Sequence, residues 1–179
     1  IYKDENGKWI YPEEALNNKK ATAGRVEKMS KSKKNTVSPV DIIKKYGADT
    51  ARLFSLSDSP PEKDLEWTDS GVEGSYKFLN RVWKFVAEFN QIEKFEFPET
   101  KEQNKIRRQI HKLLNHINNN YQTLSFNVVI AGIRELSNII FAIPKAKENY
   151  LILLEGLEIL ICLLFPITPH ISEELWQEI

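Results

Sequence analysis

Four lysines fall within seven residues at Lys28-Met29-Ser30-Lys31-Ser32-Lys33-Lys34, with small hydroxyl side chains between them and nothing apolar after Met29 until Val37. Lysine is a compact point charge on a flexible stem. Several such charges interleaved with hydroxyl donors suit a triphosphate whose charge moves during a reaction. The run is not a Walker phosphate loop, because Glu27 stands where that motif needs a glycine before its lysine. Composition alone favours a plainer reading, a solvated loop or a targeting patch. Any chemistry must therefore be argued from the order of the residues, not from the number of charges.

A second basic feature lies further along. Lys101, Lys105, Arg108 and Lys112 recur at i, i+4, i+7 and i+11, which at ~100° per residue places them in one narrow stripe of a helix. Ile106, Ile110, Leu113 and Ile117 fall on the opposite side, toward a core. Glu102 is the one acid near the stripe, so the face lacks the i,i+4 ion pairs of a neutral exposed helix. Such a stripe is either a solvated outer face or a surface for a phosphate backbone. Lys145 and Lys147, after Pro144, are placed to extend it.

Other chemistry-bearing residues are read structurally. His111 and His116 differ by five positions and do not share a face, so no metal site is expected from them. His170 falls in the first turn of a helix, where packing or capping is expected. Trp67, Trp83 and Trp176 are taken as core anchors. Asp64, Glu66 and Asp69 precede or open a helix, where its dipole favours acids. Cys162 sits on an apolar helix and reads as inert. As the sole cysteine it excludes an internal disulfide and a cysteine zinc site.

The elements that must carry these residues are mostly helical. Ile1 to Pro12 reads as a hairpin, with Asn6-Gly7 in its turn, and Asn17 to Asn35 as an irregular loop. Ser38, Pro39 and Gly47 then frame a short helix over 39–46, and a second runs over 49–56. Ser57-Asp58-Ser59-Pro60-Pro61 breaks the chain and leads into a linker to Trp67. After Thr68, Val72, Leu79, Val82, Val86 and Phe89 mark one face of a long helix, with Tyr76 and Trp83 beside it. Thr100 and Gln103 form a capping box for a helix to about residue 121. Further helices are expected over 126–143 and 148–164, and a last one, capped by Thr168-Pro169, runs through residue 176. The fold class is thus mainly α: a small N-terminal hairpin and the lysine loop, then an antiparallel helical bundle.

Composition places few limits on this reading. The 179 residues, 41% hydrophobic and 28% charged, suit one globular domain, or one with part of a second. The 25 basic and 25 acidic side chains cancel, yet they are segregated. Residues 1–50 carry 11 basic and 7 acidic groups, 51–100 carry 6 and 10, 101–150 carry 8 and 3, and 151–179 carry 0 and 5. Two local polyanion sites remain compatible with a zero sum. The most apolar stretch, 150–165, is shorter than the ~20 residues of a membrane span and holds Glu155 and Glu158. No basic segment followed by an apolar one opens the chain, so no secretory leader is expected. The start at Ile1, with Met29 the only methionine, leads us to expect a piece cut or processed from something larger.

Read in order, Lys28-Met29-Ser30-Lys31-Ser32 resembles the KMSKS motif of class I aminoacyl-tRNA synthetases. Asn35, Pro39 and Ile42-Ile43-Lys44-Lys45-Tyr46-Gly47-Ala48-Asp49 with Arg52 match its downstream context. Ser59-Pro60-Pro61-Glu62-Lys63-Asp64-Leu65-Glu66-Trp67, Ser70-Gly71-Val72-Glu73-Gly74 and Phe78-Leu79-Asn80-Arg81-Val82-Trp83 narrow the resemblance to the bacterial-type leucyl-tRNA synthetases. Pro166-Ile167-Thr168-Pro169-His170-Ile171-Ser172-Glu173-Glu174-Leu175-Trp176 is similar to the closing helix of that subclass. The resemblance implies an ATP loop made of Lys28, Met29, Ser30, Lys31 and Ser32. Lys31 is its principal catalytic group and Lys28 its second, both stabilising charge on the departing pyrophosphate. Ser30 and Ser32 shape the loop, and Lys33 and Lys34 lie outside the motif.

The resemblance further implies that residues 1–66 are the tail of a catalytic domain and that 67–179 are a helical anticodon-binding bundle. The partners would be tRNA(Leu), meeting Lys101, Lys105, Arg108, Lys112, Lys145 and Lys147, with leucine and ATP (with Mg2+) engaged through the rest of the catalytic domain. No tightly bound cofactor is expected on this chain. The enzyme would be cytoplasmic, monomeric and free of membrane. None of the three histidines lies in the His-x-Gly-His motif that such enzymes also need, so this chain alone is expected to be inactive. The alternatives are a stand-alone helical RNA-binding module, or a helical protein-interaction domain with a chance lysine-rich loop.

Overall fold

The Asp4–Gly7 turn forms as its residues imply. Asp4 Oδ1 accepts hydrogen bonds from the Asn6 and Lys8 amides at 2.9 Å each, and Gly7 adopts φ +75°, a region open to glycine at little cost. The turn joins β1 (Tyr2–Lys3) to β2 (Trp9–Ile10) in antiparallel register, Tyr2 opposite Ile10 and Lys3 opposite Trp9. The computed structural model describes residues 1–60, 62–96, 98 and 100–179, in two compact units, Ile1–Lys45 and Tyr46–Ile179. Pro61, in the expected chain break, lies outside the described residues.

The first unit is more ordered than an irregular loop over 17–35 would be. α1 (Pro12–Leu16) follows β2, with the Tyr11 amide donating to Glu14 Oε2 at 3.0 Å. β3 (Thr22–Ala23) then pairs antiparallel with β1, giving a three-stranded sheet in the order β2-β1-β3. Lys31–Lys33 form one 3-10 turn. A two-residue strand is too short to show alternation, and its pairing is a backbone contact that no local pattern records. α2 (Pro39–Tyr46) begins with the Asp41 amide donating to Ser38 Oγ at 3.4 Å.

The second unit holds six helices among the described residues: α3 (Ala48–Ser57), α4 (Asp69–Phe89), α5 (Lys101–Gln122), α6 (Phe126–Phe141), α7 (Tyr150–Leu164) and α8 (Pro169–Glu178). Thr100 and Gln103 complete the capping box at the start of α5, at 3.2 and 2.9 Å. The stripe expected on α4 is the buried one: Val72, Leu79, Val82, Val86 and Phe89 are each 5% exposed or less. All but Val72 meet Ile110 and Ile117 of α5, Ile133, Leu136 and Ile140 of α6, and Leu153, Leu157 and Leu160 of α7 in one continuous core. α5 packs along α6, and a Cβ at Gly132 would come within 2.7 Å of the Ile117 side chain. Glycine is therefore needed at that crossing.

The structure departs from expectation at two places. Trp83 and Trp176 are not core anchors, since 43% and 48% of their surface stays exposed; Trp83 lies at the edge of the α4 stripe. Trp67 alone packs edge-on against Phe54, at 5.1 Å between centroids. Nor does Thr168 cap α8 with its side chain, which donates to Leu164 O at 3.2 Å. Asp49 of α3 supplies the cap instead. Its Oδ2 accepts from the Ile171 amide at 2.7 Å, and its Oδ1 lies 2.8 Å from His170 Nδ1. Arg52, one turn on, donates to Ile167 O at 2.7 Å and Pro166 O at 3.0 Å. α3 thereby grips the α7–α8 corner with two charged groups.

Candidate functional site

The lysine loop is closed by Asn35. Its Oδ1 accepts from the Ser30 amide at 2.8 Å, and its Nδ2 donates to the carbonyls of Glu27 and Lys28, each at 3.3 Å. One amide side chain thus satisfies three backbone groups across the mouth of the loop. Ser30 Oγ and Ser32 Oγ lie 2.8 Å apart, and Lys34 ends the 3-10 turn in a left-handed conformation, φ 51°.

The four lysines divide into two pairs. Lys33 forms an ion pair with Glu27, and Lys34 lies 3.6 Å from Glu14 Oε2 and 4.8 Å from the centre of the Tyr11 ring. The hydrogen bond from Lys33, with a further one from Arg25, holds the Glu27 carboxyl below the usual carboxylate range, so it stays charged at neutral pH. Lys28 and Lys31 are exposed and have no ion-pair partner among the described residues, and Met29 is 43% exposed beside them. Two of the four cations thus tie the loop to neighbouring acids, and two do not. The position of Glu27 was visible in the sequence only as a departure from the Walker pattern; its role as the anchor of Lys33 was not.

On α5, Lys101, Lys105, Arg108 and Lys112 are all exposed and have no ion-pair partner among the described residues. Arg107, outside the stripe, turns inward with His111 to Glu155 of α7, at 2.6 and 2.8 Å. Lys145 is committed elsewhere: its Nζ lies 2.8 Å from Glu88 Oε2 and 4.3 Å from the centre of the Phe85 ring. The Lys145 hydrogen bond lowers the Glu88 carboxyl against a smaller opposing effect of burial. Lys147 opens a 3-10 turn (Lys147–Asn149) and lies 5.8 Å from the Phe95 ring. Gln103 binds that turn through Glu148 O and Asn149 Oδ1, at 2.8 and 3.0 Å, next to the start of α5.

Partial burial would raise the Glu155 carboxyl, but hydrogen bonds from His111 and Arg107 outweigh it and leave the group below its ordinary value. A depressed carboxylate stabilises the fold above its unfolded pKa and loses that contribution as pH falls through the folded value. Glu155→Gln is therefore expected to cost about 1 kcal/mol at neutral pH. The gap from the parent chain, followed by urea denaturation, should begin to narrow below about pH 4, where the unfolded carboxylate protonates, and close as pH falls through the lower folded value. A gap that widens on acidification would reject this account. Among the described residues no three metal-ligating side chains converge, and no helix is long and apolar enough to cross a membrane.

Comparison with known proteins joins the two units. Residues 103–179 match the family described as anticodon-binding domain of tRNA ligase. Residues 17–68 match tRNA synthetases class I (I, L, M and V). A leucine–tRNA ligase of Wolbachia pipientis subsp. Culex pipiens is 47% identical over 185 residues, covering 99% of this chain and 22% of the relative. That of Ehrlichia chaffeensis is 44% identical over 187 residues, with 99% and 22% covered. Among solved structures, a ternary complex of Agrobacterium radiobacter agnB2 LeuRS with tRNA and LeuAMS superposes with a TM-score of 0.73 at 28% identity, covering 84% of this chain and 20% of that one. The chain thus spans about a fifth of the length of the relatives it matches.

Proposed function

The chain belongs to the leucine–tRNA ligase family, and from that premise we propose that it contributes two surfaces to leucyl-tRNA synthesis. Residues 1–66 are the tail of the catalytic domain and carry the loop that closes on ATP, with Mg2+ as part of that substrate. Residues 67–179 are the bundle that docks tRNA(Leu). In the reaction, the leucine carboxylate attacks the α-phosphate, leucyl-adenylate and pyrophosphate form, and the leucyl group passes to tRNA. Lys31 and then Lys28 stabilise the charge that builds on the leaving pyrophosphate. Ser30 and Ser32 hold the turn between them, and Met29 completes the loop. The observation that carries this reading is the split among the lysines: Glu27 and Glu14 engage Lys33 and Lys34, and the two motif lysines stay free to meet phosphate.

On the bundle, Lys101, Lys105, Arg108 and Lys112 supply backbone contacts that are largely independent of sequence. Lys147 extends them beside the first turn of α5, and Lys145 contributes with its charge already shared with Glu88. The enzyme of which this is a part acts as a cytoplasmic monomer. The chain by itself has no second class I motif and is inactive; leucine-dependent ATP–pyrophosphate exchange by the purified chain would contradict this. Salt titration tests the docking face. Lys105→Ala and Arg108→Ala should each reduce the slope of log affinity for tRNA against log salt by about one. An unchanged slope in both variants would remove α5 from the tRNA surface.

A further inference from the structure

The outer face of α5 does not end with its cations. Lys112 is the last charge of the stripe, and Asn115 and Asn119 follow it at i+3 and i+7 on the same face. There α5 and α6 enclose a groove of about 510 Å³, within the size range of sites that hold a small ligand. Lys112, Asn115 and Asn119 line it from α5 and Glu135 from α6, and Leu113 and Ile139 give it a half-buried apolar floor. Among the described residues, the side chains of Lys112, Asn115, Asn119 and Glu135 have no hydrogen-bond or ion-pair partner.

This chemistry differs from that of the stripe. An ionised carboxylate only accepts hydrogen bonds, and beside a phosphate it would repel. Within a surface that meets RNA, Glu135 needs an N–H edge. Unstacked RNA bases are read through such edges while their faces stack on aromatic side chains or guanidinium planes, and a base turned out of its stack also packs between apolar side chains. Guanine alone among the four bases places two donors, N1–H and N2–H, side by side to match the two oxygens of one carboxylate. The amides of Asn115 and Asn119 complement acceptors such as O6 and N7, and Lys112 can hold the adjoining phosphate.

We propose that the α5–α6 groove seats an unpaired guanine of the bound RNA, with its face on Leu113 and Ile139 and its N1–H/N2–H edge on Glu135. The proposal rests on the reading that α5 meets RNA, and adds base recognition to a surface otherwise assigned to phosphate alone.

The test uses the 179-residue chain and three fluorescent single-stranded RNAs: a uridine tract with one central guanosine, the same tract with inosine, which lacks the N2 amino group, and uridine throughout. Binding by anisotropy should favour guanosine over uridine by about tenfold, with inosine between them. Glu135→Gln should abolish the preference and leave the salt slope unchanged, since Glu135 is exposed and touches no phosphate. If the parent chain binds all three RNAs equally while Lys105→Ala still lowers the salt slope, the guanine seat is wrong and the docking face stands. If no RNA binds at low salt, or the slope is unchanged in both Lys105→Ala and Arg108→Ala, both fall together. The inosine comparison needs no variant, so a folding defect in Glu135→Gln leaves the proposal decidable.

Discussion

Phe89→Ala is expected to lower the unfolding free energy of the helical unit by about 3–5 kcal/mol, the usual range for deleting a large buried aromatic. Phe89 is 2% exposed and closes the buried face of α4. Its ring stacks on Tyr150, itself 7% exposed, at 5.2 Å between centroids and 18° between planes. Truncation removes that pair and leaves a cavity whose walls, α4 and the first turn of α7, are fixed by the rest of the core. Trp83 is the control. It is the larger side chain on the same helix, but it is 43% exposed, so Trp83→Ala should cost about 1 kcal/mol or less. Urea denaturation of the two variants beside the parent chain decides the matter through their midpoints at equal slope. If Trp83→Ala proved the more damaging, the assignment of the buried face of α4 would be wrong. A loss of 3–5 kcal/mol is a large share of the roughly 5–15 kcal/mol that holds a domain together, so Phe89→Ala should also fray the start of α7.

The contrast between those two aromatics shows which parts of the fold were legible in the sequence. Phe89 and its stripe follow from a period of 3.6 residues, and the starts of α2, α4 and α5 follow from hydroxyl caps within three positions of the groups they bind. Signals of that range survive in a linear reading. Trp83 departs from the expected burial because it stands at the edge of the stripe, where a large ring can lie half in solvent. The cap of α8 was misassigned because its acceptor, Asp49, lies 122 positions before the amide it binds. The pairing of β3 with β1, and of Glu155 with Arg107 and His111, were missed for the same reason. At the lysine loop, residue order marks Lys28 to Ser32 as the stretch proposed to meet ATP. The division of labour among the four lysines was not readable, because it depends on where Glu14, Tyr11 and Glu27 stand once the chain has folded. The α5–α6 groove was hidden for a related reason: Glu135 acquires meaning only when α6 brings it beside α5.

That division of labour gives the prediction with the largest functional effect. In the Wolbachia pipientis leucine–tRNA ligase with its matching segment replaced by this one, which is 47% identical over 185 residues, Lys31→Ala should slow leucine-dependent ATP–pyrophosphate exchange by about 100- to 1,000-fold. That is the usual result of removing one preorganised group from a developing charge. The loss should fall on kcat and kcat/KM alike, because the interaction strengthens as pyrophosphate leaves and is not fully made in the ground state. Lys33→Ala removes a cation only two positions away, yet it should act differently. Lys33 is held by Glu27, so its loss loosens the loop without removing a group that meets phosphate. Glu27→Gln should reproduce the Lys33→Ala phenotype, and the double variant should add little, since both break one contact. Lys31→Ala combined with either should lose roughly the product of the separate effects. If Lys33→Ala were as severe as Lys31→Ala and Glu27→Gln were silent, all the lysines would be acting as one pool of charge. The fixed roles drawn from Glu27, Glu14 and Asn35 would then be wrong. The folded loop argues for fixed roles, because a pool of charge needs no anchors and this loop has three.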